Sequence, residues 1–231
     1  MAFSFEATDY QIGYQYNHLH IHSIESGEIK KGNVHGIDLG YLYQKAQDSF
    51  AYLHFSVAKG SVFGGDFNRG NEKLHYIQIE NQDVFGFNFV ANAFACIPYL
   101  GFGFFLKSEI PFYPMDYCSI VYSFFVPLGL RFGYDFTNYF TLIFDIQTQV
   151  KFYGRWFIIG HPMLTGQSSS LKYKDIACLV LYGNWKISKK DGLSLAAFYK
   201  HLNIKQKHST VFFDGQNMIQ CGFTLLYYFH F

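Results

Sequence analysis

Along most of the chain, large apolar residues recur at every second position, the spacing that puts them on one face of a β-strand. In residues 138–152, Phe140, Leu142, Phe144, Ile146, Val150 and Phe152 share one face, while Asp145, Gln147, Gln149 and Lys151 share the other. Nine further segments repeat the pattern: 10–24, 34–44, 50–59, 73–94, 98–107, 118–135, 171–187, 193–203 and 216–231. Ten strands are therefore predicted. The links between them alternate in length. Short ones are expected near 47–49, 96–98, 136–137 and 188–192, and long ones over 25–33, 60–72, 108–117, 154–170 and 204–215. An even number of strands joined by alternating short and long connections predicts an all-β, ten-stranded antiparallel up-and-down barrel, with eight or twelve strands as the alternatives. A single barrel accounts for residues 1–231, with 1–9 as an N-terminal segment on the side of the short turns.

Which face of the barrel is apolar follows from volume. The uniform face is aromatic and aliphatic, and the mixed face carries charge and glycine. A barrel of this size has an interior just filled by ordinary side chains, so the bulky face cannot all point inward. Turned outward it needs lipid around it. No apolar run reaches the roughly 18 to 20 residues of a spanning helix, so a membrane crossing here requires a closed barrel that leaves no backbone group unpaired.

The final segment, NMIQCGFTLLYYFHF, has Ile219, Cys221, Phe223, Leu225, Tyr227, Phe229 and Phe231 on one face. It resembles the closing strand of bacterial outer-membrane β-barrel proteins, which characteristically end in Phe with apolar or aromatic residues two, four and six places before. Residues 97–105 (IPYLGFGFF) and 125–140 (FVPLGLRFGYDFTNYF) are similar to the turn and hairpin segments of that class. The resemblance implies an outer-membrane location with outer-membrane lipid as the surroundings. It also implies recognition of Leu225, Tyr227, Phe229 and Phe231 by periplasmic chaperones and the barrel-assembly machinery. Residues 1–6 (MAFSFE) lack a positive segment followed by an apolar core, so an export signal is expected to have been removed or missed when the start was assigned.

Composition agrees with strands rather than helices: 21% of residues are aromatic, with 28 Phe and 19 Tyr, and these favour strands. The formal charge of +1 gives no reason to expect a nucleic-acid partner. Tyr10, Tyr41, Tyr43, Tyr134, Tyr139, Trp156, Trp185, Tyr227 and Tyr228 are expected near strand ends, where aromatic girdles meet the membrane surface. The four cysteines, Cys96, Cys118, Cys178 and Cys221, show no zinc spacing; a Cys118–Cys221 link near one rim is conceivable, although their strands are not neighbours.

Three sets of residues are candidates for chemistry. Asp38, Arg131, Asp145, Lys151, Lys186 and Lys200 fall on the inward face, where charges must pair or meet water; Arg131 and Asp145 lie on two arms of one hairpin. Either they line a narrow conduit or they form a salt-bridged plug, and ten strands, well below the number in water-filled porins, favour the plug. His18, His20 and His22 share one strand face at a spacing that can bring imidazoles to a rim metal, but no further ligand is identifiable, so no metal or cofactor is expected. The apolar stretch 108–117 and Arg155, Trp156 and Phe157 within 154–170 are candidates for partner contact or for packing over the barrel mouth.

Two enzyme families built on small barrels do not match. Omptin-type proteases place acidic residues and an Asp–His pair at the extracellular rim; His161, Asp175, His201, His208 and Asp214 are rim candidates here but form no motif of that family. Lipid A deacylases resembling acyloxyacyl hydrolases carry His, one residue, then Ser near the penultimate strand, where this chain has His201, Leu202 and Asn203, and Asn is no nucleophile. The expectation is a surface-exposed structural or binding protein that is not an enzyme. A narrow porin-like channel is the alternative, and a barrel-embedded hydrolase follows it.

Overall fold

The computed structural model describes residues 7–24, 27–65, 72–111, 118–159, 168–206 and 216–230. They form ten strands: β1 Ala7–Ser23, β2 Ile29–Gln44, β3 Asp48–Gly65, β4 Glu72–Ala91, β5 Phe94–Pro111, β6 Cys118–Thr137, β7 Phe140–Ile159, β8 Ser168–Lys186, β9 Asp191–Gln206 and β10 Gln216–His230. Each pairs antiparallel with its neighbours in sequence, and β10 pairs with β1 from Asp9↔His230 to Ser23↔Gln216, so the sheet closes on itself. Closure leaves no sheet edge.

Strand residues are added and lost where sequence reading is weakest, at the ends. β3, β5, β7 and β9 run on past the predicted limits toward the long connections. β2 starts at Ile29, so most of the loop expected over 25–33 is strand. Likewise 108–111 and Arg155, Trp156 and Phe157 belong to β5 and β7 rather than to partner-seeking loops; 112–117 and 160–167 lie outside the described residues. The turn expected at 96–98 is instead at Asn92 and Ala93. Asn92 takes a φ of 55°, a left-handed conformation that Asn tolerates, whereas the fixed φ of Pro98 suits an extended strand. Pro98 and Pro127 each lack an N–H. Beside them the ladders lapse, from Gly86↔Tyr99 to Phe89↔Cys96 and from Leu100↔Leu128 to Gly103↔Phe125.

Outward residues form an exposed apolar belt that includes Ile12, Ile37, Phe55, Phe85, Leu100, Phe144 and Leu225. A water-soluble monomer rarely exposes so continuous an apolar surface. Two expected members of the girdle are inside. Between Phe124↔Tyr153 and Phe125↔Lys151 the register shifts, leaving Phe152 as an extra residue in β7. This bulge lets Phe152 and Tyr153 both face out and reverses the parity beyond them. Trp156 is thereby buried, with Nε1–H donating to Ser119 Oγ at 2.8 Å. Tyr228 also turns inward, over Gly192, at the mouth bounded by the short turns.

Candidate functional site: a polar chamber between two closures

The inward face is layered rather than uniformly polar. Nearest the short turns, Phe50, Tyr52, Val84, Ile97 and Tyr99 pack together with Leu42. Toward the long connections, a second apolar cluster spans the lumen and includes Leu19, Ile21, Tyr76, Phe105, Phe125 and Trp156. Phe125 stands over Gly103 and Tyr99 over Gly129, positions where a Cβ would overlap the ring. Glycine on the inner face thus makes room for a cross-strand aromatic.

Between the two closures lies a cavity of about 130 Å³ lined by Gln15, Asp38, His54, Gln149, Lys200, Gln220 and their neighbours. At the roughly 30 Å³ that a water occupies in the liquid, it has room for about four waters. Its charges are paired. Arg131 and Asp145 are direct cross-strand partners; Nε and Nη2 donate to Asp145 Oδ2 at 2.9 and 2.8 Å, and Tyr99 Oη–H donates to Oδ1 at 2.6 Å. The guanidinium lies 5.0 Å from the Phe50 ring centre and 5.3 Å from that of Tyr52, within cation–π range. Lys200 donates to both oxygens of Glu80 at 2.7 Å, and His54 meets Asp38 at 3.2 Å. Gln82 and Gln147 exchange amide hydrogen bonds across the lumen at 3.2 and 3.1 Å.

Of the predicted inward charges, Asp38, Arg131, Asp145 and Lys200 line this chamber. Lys151 sits beside it, 4.7 Å from the Phe105 ring centre. Lys186 does not join them: it is exposed at the opposite mouth, lining a second cavity of about 110 Å³ with Asp9, Tyr139 and Tyr228. Sequence reading missed Glu80, His54 and the chamber's glutamines as a set. The signal was present, since Glu80, Gln78 and Gln82 share the parity of Gly86 on β4. Nor did it find the buried ionic group past the apolar cluster, where Glu109 meets Lys107 at 2.7 Å and Lys30 at 3.3 Å.

His18, His20 and His22 do share a face, and it is the outward one, continuing that of Tyr10, Ile12 and Tyr14. Among the described residues no group of three His, Cys, Asp or Glu is placed to hold a metal; His18 instead meets Asn33 Oδ1 at 2.8 Å. All four cysteines are free, and Cys118 on β6 and Cys221 on β10 are not joined. Of the rim candidates, His161, His208 and Asp214 lie outside the described residues, as do the Asp175 side chain and Phe231. His201 is hydrogen-bonded to Asn217. The Asp38–His54 contact lies within the lumen between the two closures, away from either rim.

No family model matches the chain, and no curated protein matches it. Solved structures do. The chain is similar to the outer membrane protease OmpT from Escherichia coli, at 9% identity with 100% of this chain and 99% of that one covered and a TM-score of 0.58. It is also similar to the translocator domain of autotransporter NalP from Neisseria meningitidis, at 9% identity, 99% and 90% coverage and a TM-score of 0.49. For the outer membrane protein OprG from Pseudomonas aeruginosa the figures are 11%, 98% and 97%, and 0.41. At these identities the likeness is one of fold. A closed ten-stranded barrel of this fold with an apolar outer belt is a bacterial outer-membrane β-barrel protein. In barrels of this class the short turns face the periplasm, and both ends of the described chain lie on the short-turn side.

Proposed function

We propose that this protein is a closed-lumen barrel that serves at the cell surface as a structural or binding protein, and is neither an open diffusion pore nor an enzyme. The observation that carries this reading is the apolar cluster across the extracellular half of the lumen, in which Leu19, Ile21, Tyr76, Phe105, Phe125, Leu202 and Met218 have at most 1% of their surface exposed. A hydrated ion passing that layer would have to shed water against hydrocarbon, at a cost of many kcal/mol. The paired Arg131 and Asp145 and the packed aromatics form a second barrier on the periplasmic side. A hydrolase would need a nucleophile and base within reach of a macromolecular substrate, and the Asp38–His54 pair between the closures does not meet that requirement. In the same reading, outer-membrane lipid surrounds the belt, and the assembly machinery takes the C-terminal strand through Leu225, Tyr227, Phe229 and Phe231.

Single-channel recording of the refolded protein in a planar bilayer tests the closed lumen. The expected trace is silent for the unaltered chain, while opening both barriers together, with Phe105→Ala and Phe125→Ala on one side and Phe50→Ala and Tyr99→Ala on the other, yields discrete steps. Discrete ion-permeable steps from the unaltered protein would favour the narrow channel that the polar chamber otherwise suggests.

A further inference from the structure

Residues that line the mid-lumen chamber carry polar atoms that the protein itself does not satisfy. Gln15 Nε2, Gln149 Oε1 and Gln220 Oε1 are enclosed and accept or donate no hydrogen bond within the protein, and all three residues line the cavity. Each is at least nine-tenths buried. Leaving such a group unpaired costs about 1–3 kcal/mol, so three around one cavity point to an occupant that offers both donors and acceptors. The occupant need not be charged. Asp145 is held by Arg131 and Tyr99, Glu80 by Lys200 and Asp38 by His54, so the ionic groups on the walls already face one another.

We propose that the chamber is a binding site for a small uncharged polyol, a molecule no larger than the roughly four waters it would displace. Hydroxyls suit the site because each both donates and accepts. Once the side-chain amides turn toward the cavity, hydroxyls can therefore meet the unpaired amide nitrogen of Gln15 and the unpaired amide oxygens of Gln149 and Gln220 with one type of group. The amide pair Gln82–Gln147 and the rings of Tyr52, Tyr182 and Phe198 complete a wall of polar edges and flat apolar faces. The route in is from the periplasmic mouth. There the second cavity, lined by Ile143, Asn184 and Tyr228, approaches the chamber to within one layer of side chains along β7, β8 and β10. The proposal goes beyond the closed-lumen reading and relies on it only for the side of access.

Cys178 is a built-in reporter, since it lines the same cavity. With Cys96, Cys118 and Cys221 changed to Ser, the refolded barrel is treated with methyl methanethiosulfonate, and labelling of Cys178 is followed by mass spectrometry. Glycerol is the probe and sucrose the oversized control. The expected result is labelling slowed saturably by glycerol, by roughly tenfold at about ten times the half-protecting concentration, and unaffected by sucrose. Gln220→Leu and, separately, Gln149→Leu should weaken protection while keeping the heat-modifiable mobility of a folded barrel. A Cys178 that never labels, or one whose labelling glycerol does not slow, would overturn the site, the second result leaving a chamber that holds water alone. Tyr182→Ala should accelerate labelling; acceleration by Phe105→Ala in its place would overturn the periplasmic route. Conductance decides the closed-lumen reading independently of these results.

Discussion

Inside a barrel wall, the same residue can stabilise or destabilise depending on whether its partner is present. Arg131 and Asp145 lie opposite each other on the β6–β7 hairpin, both buried, with contacts of 2.8 and 2.9 Å. Removing Asp145 strands the Arg131 guanidinium among the rings of Phe50, Tyr52 and Tyr182. Asp145→Leu should therefore cost about 3–5 kcal/mol, and Arg131→Met with Asp145→Leu should recover most of that loss, as read by urea titration of the protein in liposomes. A double variant no more stable than Asp145→Leu would show that the pair is not an isolated unit. At the periplasmic turn, outside the lipid belt, Asp191 is governed differently. The Tyr227 hydroxyl, which donates at 2.7 Å, and Ser188 hold its carboxyl below the ordinary carboxylate value. A depressed folded value means that the stabilisation is present at neutral pH and is lost as pH falls through that value. In Tyr227→Phe the Asp191 titration, followed by NMR, should move back up toward the ordinary value.

At the scale of the strand, the alternation along residues 140–151 carried its own face assignment, since Asp145, Gln147 and Gln149 are buried and Phe144, Ile146 and Val150 exposed as the period requires. The same rule applied straight through residue 156 fails. A bulge is one extra residue whose presence depends on the partner strand, here the step from Phe124 to Phe125 opposite the step from Lys151 to Tyr153, and nothing in the local composition marks it. The turn at Asn92 was missed for a related reason: Pro98 is a strong turn signal in isolation, and only the pairing of β5 with both neighbours makes it a strand residue. Periodicity reveals a face; register belongs to two strands at once. The charges that met in the lumen were legible as inward residues, but Lys200 with Glu80 could not be paired without knowing how β9 and β4 face each other across the barrel. The bulge gives a direct optical test. Trp156 and Trp185 are the chain's two tryptophans, the first buried and the second exposed on the outer face. With Trp185→Phe, the remaining emission should resist quenching both by brominated lipid chains and by iodide. With Trp156→Phe, brominated lipid should quench it. Lipid quenching of Trp156 would mean that the parity is not reversed.

For the molecule as a whole, exposed apolar residues on a closed barrel are compatible with lipid, but exposure alone does not measure the surroundings; a charge placed at graded height does. An outward apolar band is about 25 Å tall, and strands rising about 3.4 Å per residue at a tilt of 35–45° advance about 2.5 Å along the barrel axis. Roughly ten residues therefore cross the band. Counted along β1 from Tyr10, this stretch reaches His20, so the outward polar run of His18, His20 and His22 falls at the extracellular edge, and Tyr14 with its β2 partner Ile37 falls near the middle. Ile37 is 59% exposed on the outer face. Ile37→Arg should consequently destabilise the barrel in liposomes by about 2–4 kcal/mol, while Tyr41→Arg, nearer the periplasmic edge, should cost about 0–1 kcal/mol. Asn33→Arg, at the level of His18, should cost as little. If water surrounded the barrel, all three would be ordinary surface substitutions within about 0.5 kcal/mol of neutral. A flat profile across residues 33, 37 and 41, measured by urea titration, would remove the bilayer from the account; a maximum at residue 37 would fix both the depth of the barrel and the position of its histidine run above the lipid.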